Sequence, residues 1–282
     1  MYPPKFDYYR ANSIDEAFAL MGQLGDAKLL AGGHSLIPAL KLRLAAPSAL
    51  IDIGRIGELK GISRNGSTAT IGALTTHATV AAASDLPTAL TEAAGWIGDP
   101  QVRNRGTVGG NIAHADPASD LPTVLTALGA TMNMRGLNGA RSVSADDFFI
   151  DLFMTALGDD EILTSVDVPV DGAGTAYAKL FNPASRYAIV GVAAKVSVSG
   201  GQCTSARVAL GGLTPSAVRA PSVEAALVGK ALTADNIAAP AAQVGGDLDD
   251  VMGDIHASEE YRRAMAPIYV QRAVSKAAER AG

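Results

Sequence analysis

Three observations predict an α+β chain in two parts. Helix and strand signals alternate from Ser13 to about residue 170. A run rich in valine and alanine then brackets Gly200-Gly201, the two-residue signal of a hairpin, with helical patterns after it. Between the parts, "DGAG" at 171–174 supplies a flexible join, which places a boundary near 172–176.

The elements follow in order. Ser13 and Glu16 stand at capping-box spacing before a helix that ends near Gly25. "AKLLAGG" reads as a short strand running into a glycine loop, and "SALIDIG" and "TATIGAL" as two more strands. Helices are predicted at 75–83, at 87–96 with proline in the first turn, and from Ser119 or Asp120 over "SDLPTVLTALG". "ATMNMRG", "ARSVSADDFF" and "EILTSVDVPV" read as strands. In the hairpin, Val192, Ala194, Val196 and Val198 share one face while Lys195, Ser197 and Ser199 share the other, which predicts an antiparallel sheet with one wet face. Helices at about 222–229, 233–245 and 258–280 open at Ser222, Thr233 and Ser258, and Pro267 should kink or restart the last.

Composition narrows the function. Of 282 residues, 48% are hydrophobic and 18% charged, which is globular composition. A net charge of −5 with scattered Lys and Arg argues against a nucleic-acid binder. The start of the chain lacks a secretory pattern and no apolar run is long enough to span a membrane, so a cytoplasmic location is expected. The single cysteine, Cys203, can form no internal disulfide and cannot hold an iron–sulfur cluster or a Cys-type zinc site.

Two glycine loops carry the chemistry. In "AGGHS", Gly32 and Gly33 lack Cβ atoms that would obstruct an anion, consecutive amides can form a nest, and Ser35 adds a hydroxyl donor. "RGTVGGN" repeats the arrangement with Gly106, Gly109, Gly110, Thr107 and Asn111. Two such loops facing one another suit a diphosphate. Taken singly, each loop is more often an ordinary turn. Neither G-x-x-x-x-G-K-[ST] nor a G-x-G-x-x-G after a strand is present, so neither an ATPase loop nor a Rossmann site is supported.

"AGGHSLIPALKLRLAAPSALIDI", "IGALTTHATV", "IGDPQVRNRGTVGGNIAHADPASDLP" and "PASRYAIVGVAA" occur in that order and together resemble the FAD-binding medium subunits of molybdenum hydroxylases. That family includes the aerobic carbon monoxide dehydrogenase medium subunit and the xanthine dehydrogenase flavin domain, and the similarity runs through essentially the whole chain. The resemblance implies a two-subdomain FAD-binding fold of the vanillyl-alcohol-oxidase class over 1–175, with subdomains of about 1–56 and 57–175. A C-terminal domain with a three-stranded antiparallel sheet and helices would occupy 176–282.

The resemblance also implies site residues. The first loop, Ala31, Gly32, Gly33, His34 and Ser35 with the following Leu36, would wrap the FAD diphosphate; so would Thr107, Val108, Gly109, Gly110 and Asn111. Asp120 matches an aspartate that binds the adenosine part, and Leu163 a position whose backbone contacts adenine. Lys179 or Asn182, and Tyr187, would approach the isoalloxazine, and an apolar side chain at Ile97 would pack near the flavin. Xanthine dehydrogenase relatives place a lysine just before "ASR", where this chain has Asn182-Pro183, so the resemblance does not carry a nicotinamide-reading role over, and quinone, NAD and oxygen all stay open as the final acceptor.

The remaining candidates have plainer readings. His34 is a diphosphate contact or a covalent flavin anchor, with contact favoured. His77 reads as a cap or packing residue, His114 as a loop-shaping residue and His256 as surface; none suggests a metal site. Trp96 reads as core, Asp146-Asp147 as a solvated turn and Cys203 as packing.

The implied role is electron transfer by a flavoprotein subunit. FAD would take electrons from [2Fe–2S] clusters of a small partner subunit, substrate would be oxidised at a molybdenum cofactor in a large one, and no catalytic residue is assigned in this chain. A dimer of heterotrimers and peripheral association with a quinone-linked membrane acceptor are expected. The alternatives are a stand-alone FAD oxidoreductase of the same fold with its own substrate site, and a scaffold subunit that has lost flavin.

Overall fold

The computed structural model describes residues 1–281. The first sheet is parallel, in the order β1 (Asp7–Arg10), β3 (Ala49–Asp52), β2 (Ala27–Leu30). Helix α1 (Ile14–Leu24) crosses between β1 and β2, and α2 (Leu36–Lys41) lies between β2 and β3. Half of the capping box forms as predicted: Ser13 Oγ accepts from the Glu16 amide at 3.1 Å, while the Glu16 carboxylate accepts from the Asn12 amide at 2.8 Å and not from Ser13. Phe18, Ile51, Ile53 and Leu59 build this layer's core and meet Leu74 and Ile162 of the next unit.

The second sheet is antiparallel, in the order β4 (Ile62–Asn65), β5 (Thr68–Gly72), β10 (Glu161–Pro169), β6 (Thr131–Gly136), β7 (Gly139–Ser144). Between β5 and β6 run five helices: α3 (His77–Ala81), α4 (Thr88–Trp96), α5 (Pro100–Arg105), α6 (Val108–His114) and α7 (Asp120–Leu128). Their apolar faces, with Leu90, Ile112, Leu121 and Leu125, form the largest core. "ARSVSADDFF" is not one strand. β7 stops at Ser144, whose hydroxyl donates to Asp147 at 2.6 Å, and a short helix α8 (Ala145–Phe148) follows before the hairpin β8 (Phe149–Asp151) and β9 (Met154–Thr155). Asp146 is no free turn residue either, because it pairs with Arg207 at 2.7 Å.

The third sheet runs β11 (Gly174–Phe181), β12 (Ala188–Ser199), β13 (Gln202–Gly211), β14 (Val218–Arg219). A two-residue β14 is thus added to the three expected strands. Gly200 and Gly201, at φ 57° and 79°, make the turn, since both central positions of a type I′ turn need positive φ. One face packs on α9 (Pro221–Leu227), α10 (Ala234–Ala241) and α11 (Glu259–Ala278). The other is not wholly wet: Tyr177, Ala193 and Ala209 bury against the second unit's helices.

Two helix expectations change. α9 begins at Pro221, and the Ser222 hydroxyl donates to Asp247 instead of capping. Pro267 does not restart the last helix: α11 is one helix through it, with Ala266, Val270, Ala273, Val274 and Ala277 as a buried stripe that holds it on the sheet. Glu92 of α4 ties the last helix down, accepting from Lys276 at 2.5 Å, from Arg280 at 2.7 Å and from the Tyr177 amide at 3.0 Å.

Gly174 lies where a Cβ would collide with the Ala277 carbonyl oxygen, with the Ala281 nitrogen at 2.6 Å. Gly174→Ala should therefore cost about 1–3 kcal/mol through overpacking, read as a lower urea midpoint. An unchanged midpoint would mean that the end of α11 is not seated on β11.

Candidate FAD site

The site forms where β2 ends. The amides of Gly32, Gly33, His34, Ser35 and Leu36 have no hydrogen-bond acceptor among the described residues, and neither does the Ser35 hydroxyl. Gly33 adopts φ +77°, a conformation that favours glycine, and an added Cβ would sit 3.1 Å from Ile37 and Leu30. Gly32 serves a different purpose from the one expected: a Cβ there would run into the Arg105 carbonyl. Its bare Cα lets the first loop touch the start of the second.

The second "loop" is largely helix. Thr107 caps α6, accepting from the Gly110 amide at 3.2 Å, and Val108 through Asn111 are helical. Their amides are occupied: Val108 donates to Thr75, Gly109 to Ala73, and Asn111 to Thr107. Gly109 is glycine because a Cβ would come within 2.5 Å of Ala73, and Gly110 because one would meet Thr107 Oγ1 at 2.8 Å. Among the described residues this segment leaves the Thr107 amide without an acceptor, and the Asn111 side-chain NH2 is also open, since Asn111 Oδ1 accepts from Ser119 at 2.8 Å.

His77 is buried beneath this junction. Its amide donates to the Gly106 carbonyl at 3.0 Å, and its ring packs against Gly106. Nδ1 has no partner, and burial, with the nearby His34, pulls the imidazole pKa down to about 4. His34 is exposed, with Nε2 3.3 Å from the Gln101 carbonyl. His114 ends α6 and stacks on Phe153 with centroids 5.0 Å apart.

Across the interface between the second and third units, Lys179 Nζ donates to Asp120 Oδ2 at 2.7 Å and the Tyr177 hydroxyl to Asp120 Oδ1 at 2.5 Å. The Lys179 and Asp120 side chains are 1% and 5% exposed, which makes this a fully desolvated ion pair. Burial pushes the Asp120 carboxyl up and the Lys179 ammonium down, each opposed by the partner's charge. Burial and Asp120 hold the Tyr177 phenol well above its ordinary value, so it stays a donor.

Two curated relatives match nearly end to end. The carbon monoxide dehydrogenase medium chain of Hydrogenophaga pseudoflava is 43% identical, with 98% of each chain covered. The 6-hydroxypseudooxynicotine dehydrogenase complex subunit alpha of Paenarthrobacter nicotinovorans is 38% identical, covering 100% of this chain and 97% of that one. Residues 4–171 match the FAD binding domain in molybdopterin dehydrogenase, and 175–277 the CO dehydrogenase flavoprotein C-terminal domain. The chain belongs to the FAD-binding medium subunits of molybdenum hydroxylases. A solved structure of the H. pseudoflava carbon monoxide dehydrogenase lacking the Mo-pyranopterin moiety superposes with a TM-score of 0.95 at 44% identity, covering 100% of both chains. The chain is therefore a member of an FAD-dependent oxidoreductase family, and the P. nicotinovorans relative is itself a subunit of a dehydrogenase complex.

The residues present fit FAD. Five consecutive amides without a protein acceptor, beside a serine hydroxyl, are the kind of donor set an anion takes. Asp120 and Lys179, expected at the adenosine and isoalloxazine ends of an extended cofactor, are bonded to each other and cannot serve opposite ends. Tyr187 is 45% exposed, with Asp116 and Asp120 near enough to raise its pKa after burial does. Asn182 shapes a turn, Oδ1 accepting from the amides of Ala184 and Ser185 at 2.9 and 3.1 Å. Leu163 buries its side chain in the core at a register shift of β10, so only its backbone can meet a ligand. Ile97 is half-buried against the same core. Trp96, expected as core, is 39% exposed and stacks on Phe181 with centroids 5.4 Å apart. Tyr177 was missed, although its i, i+2 spacing from Lys179 in "AYAKL" puts both on one strand face.

Two stability predictions follow from these groups. Lys179→Met strands a buried carboxylate and should cost about 3–5 kcal/mol by chemical denaturation, much of it restored in Lys179→Met with Asp120→Asn. His77 has a folded pKa below its unfolded value, so its contribution is present above about pH 6.5 and lost as pH falls through about 4, on the order of 3 kcal/mol. His77→Gln should remove that component of the loss between those pH values in urea titrations.

Proposed function

We propose that this chain is the electron-transfer subunit of a carbon monoxide dehydrogenase-like molybdenum hydroxylase. It would pass electrons from [2Fe–2S] clusters of a partner to an acceptor outside the complex. The observation that carries the reading is the run of unpartnered amides from Gly32 to Leu36, an anion nest in a chain whose one cysteine is buried and unable to ligate a cluster.

The chain's own work is binding and orientation. Gly33 through Leu36 hold the diphosphate through their backbone amides, Ser35 adds its hydroxyl, and the Asn111 side-chain NH2 approaches from α6. Ala31, Gly32, Thr107, Val108, Gly109 and Gly110 keep the two backbones in contact. The Leu163 backbone receives adenine, and Ile97 and the exposed Tyr187 bound the flavin end. Asp120 and Lys179 act as one unit that sets the wall between residues 1–175 and 176–282. FAD, when bound, accepts single electrons and delivers pairs. The molybdenum cofactor and the clusters belong to a large and a small subunit in a dimer of heterotrimers, with a quinone-linked acceptor at the membrane.

Co-expression with the neighbouring large and small chains should yield a yellow-brown complex containing molybdenum, iron and FAD. Substrate should bleach the flavin in that complex, and omission of the iron–sulfur chain should abolish bleaching without removing FAD. Gly33→Val should lose flavin in the purified complex. A fully loaded Gly33→Val protein would show that the first loop does not hold the diphosphate, and substrate bleaching without the cluster subunit would favour a self-contained oxidoreductase.

A further inference from the structure

The acidic residues of this chain are unevenly spread. From Ala231 to Tyr261 there are seven Asp and Glu and no Lys or Arg. Within that stretch Ile255 is 96% exposed, the most exposed large apolar side chain among the described residues. The turn that carries it is braced. The Asp254 carboxylate accepts from the amides of His256 and Ala257 at 2.8 and 2.9 Å, and the Asp254 amide donates to the Ala257 carbonyl at 3.0 Å. Buried Arg262 donates to Asp254 at 2.6 Å and to the carbonyls of Ile189 and Gly212. Ile255 is thus held in water on a backbone tied to the start of β12 and the end of β13.

The apolar surface continues along α11. Tyr261, Met265 and Ile268 recur at i, i+4 and i+7, which puts them on one helix face, and Tyr261 and Ile268 are both exposed. Arg272 closes that row, its guanidinium 4.7 Å from the Tyr269 ring centroid. Among the described residues Asp249, Asp250 and Glu260 have no ion-pair partner, whereas Arg262 and Arg263 are already paired with Asp254 and Glu259.

We propose that Ile255 and the row from Tyr261 to Ile268 form the docking surface for a partner subunit that offers an apolar pocket rimmed by lysine and arginine. The proposal rests on the subunit reading above. Charge selects this occupant. An anionic lipid surface repels the free carboxylates. A second copy of this chain, packed about a twofold axis, would set the same acidic edge against itself. A basic rim pairs with that edge and steers the approach. The braced turn needs no further ordering on binding, so Ile255 serves as a preorganised anchor.

The test uses the complex assembled from this chain with its large and small partners. Benzoylphenylalanine, a photo-crosslinking residue, in place of Ile255 should trap one partner subunit, through a peptide with Lys or Arg beside apolar residues. Ile255→Ser with Tyr261→Ser should weaken assembly with that subunit by about tenfold or more, read by dilution in analytical ultracentrifugation. Both side chains are exposed, so the urea midpoint of the full chain by itself should not move, which separates lost docking from lost fold. Asp249→Lys, Asp250→Lys and Glu260→Lys combined should also weaken assembly, and the wild-type complex should loosen as salt rises. Ile255→Leu keeps the apolar anchor and should assemble as wild type does. A crosslink to a second copy of this chain or to lipid overturns the proposal, and so does normal assembly of both the serine and the lysine variants. In that last case the subunit reading stands, because a complex still forms. A wild-type chain that assembles with no partner removes both readings.

Discussion

One backbone contact organises the site: the bare Cα of Gly32 against the carbonyl of Arg105. It joins the end of a parallel strand to the end of α5, two segments with different neighbours and different cores. With that contact made, Gly33 can turn through its left-handed conformation and the next amides are left without protein acceptors. On its other flank the same contact draws Arg105 towards Arg10, Arg55 and Lys60 around a shared cleft. His77, neutral and buried under Gly106, fills the space that the meeting of the two backbones leaves. No side chain larger than hydrogen at residue 32 preserves this arrangement.

The third unit is fixed by charge as much as by apolar burial. Glu92 gathers Lys276, Arg280 and the Tyr177 amide, and although burial alone would raise its carboxyl, those donors hold it below the ordinary value. Asp120 gathers Tyr177 and Lys179 nearby. Two carboxylates of one unit thus bind alternate residues of one strand of another. Satisfied buried networks of this kind tolerate little sliding, since moving the strand by one residue would turn Tyr177 and Lys179 away from their acceptor.

Much of the fold was legible because local rules agreed. The Ser13 cap, the Gly200-Gly201 hairpin and the caps at Thr233 and Ser258 all lie where residue chemistry alone puts them. The failures mark tertiary override. Packing carries α11 past Pro267, Ser222 prefers Asp247 to its own helix, and Ala193 and Ala209 bury a face that alternation assigns to water. In the site, glycine content identified both segments, but only coordinates separate Gly33, which turns the chain at positive φ, from Gly32 and Gly109, which make room for neighbouring protein. The gathering of Arg10, Arg55, Lys60 and Arg105 has no signature in one dimension, because they come from three stretches far apart in the sequence.

The ion pair between Asp120 and Lys179 also bears on how this family can be recombined. Its two members lie on opposite sides of the natural crossover point near residue 172, so a chimaera that takes its carboxyl-terminal half from another relative inherits only one of them. A donor half with no cation at position 179 leaves a desolvated carboxylate in the seam. The unit of exchange is therefore larger than either sequence domain: Asp120, Tyr177 and Lys179 must travel together, and a crossover upstream of Asp120 respects the chemistry where one at the domain border does not.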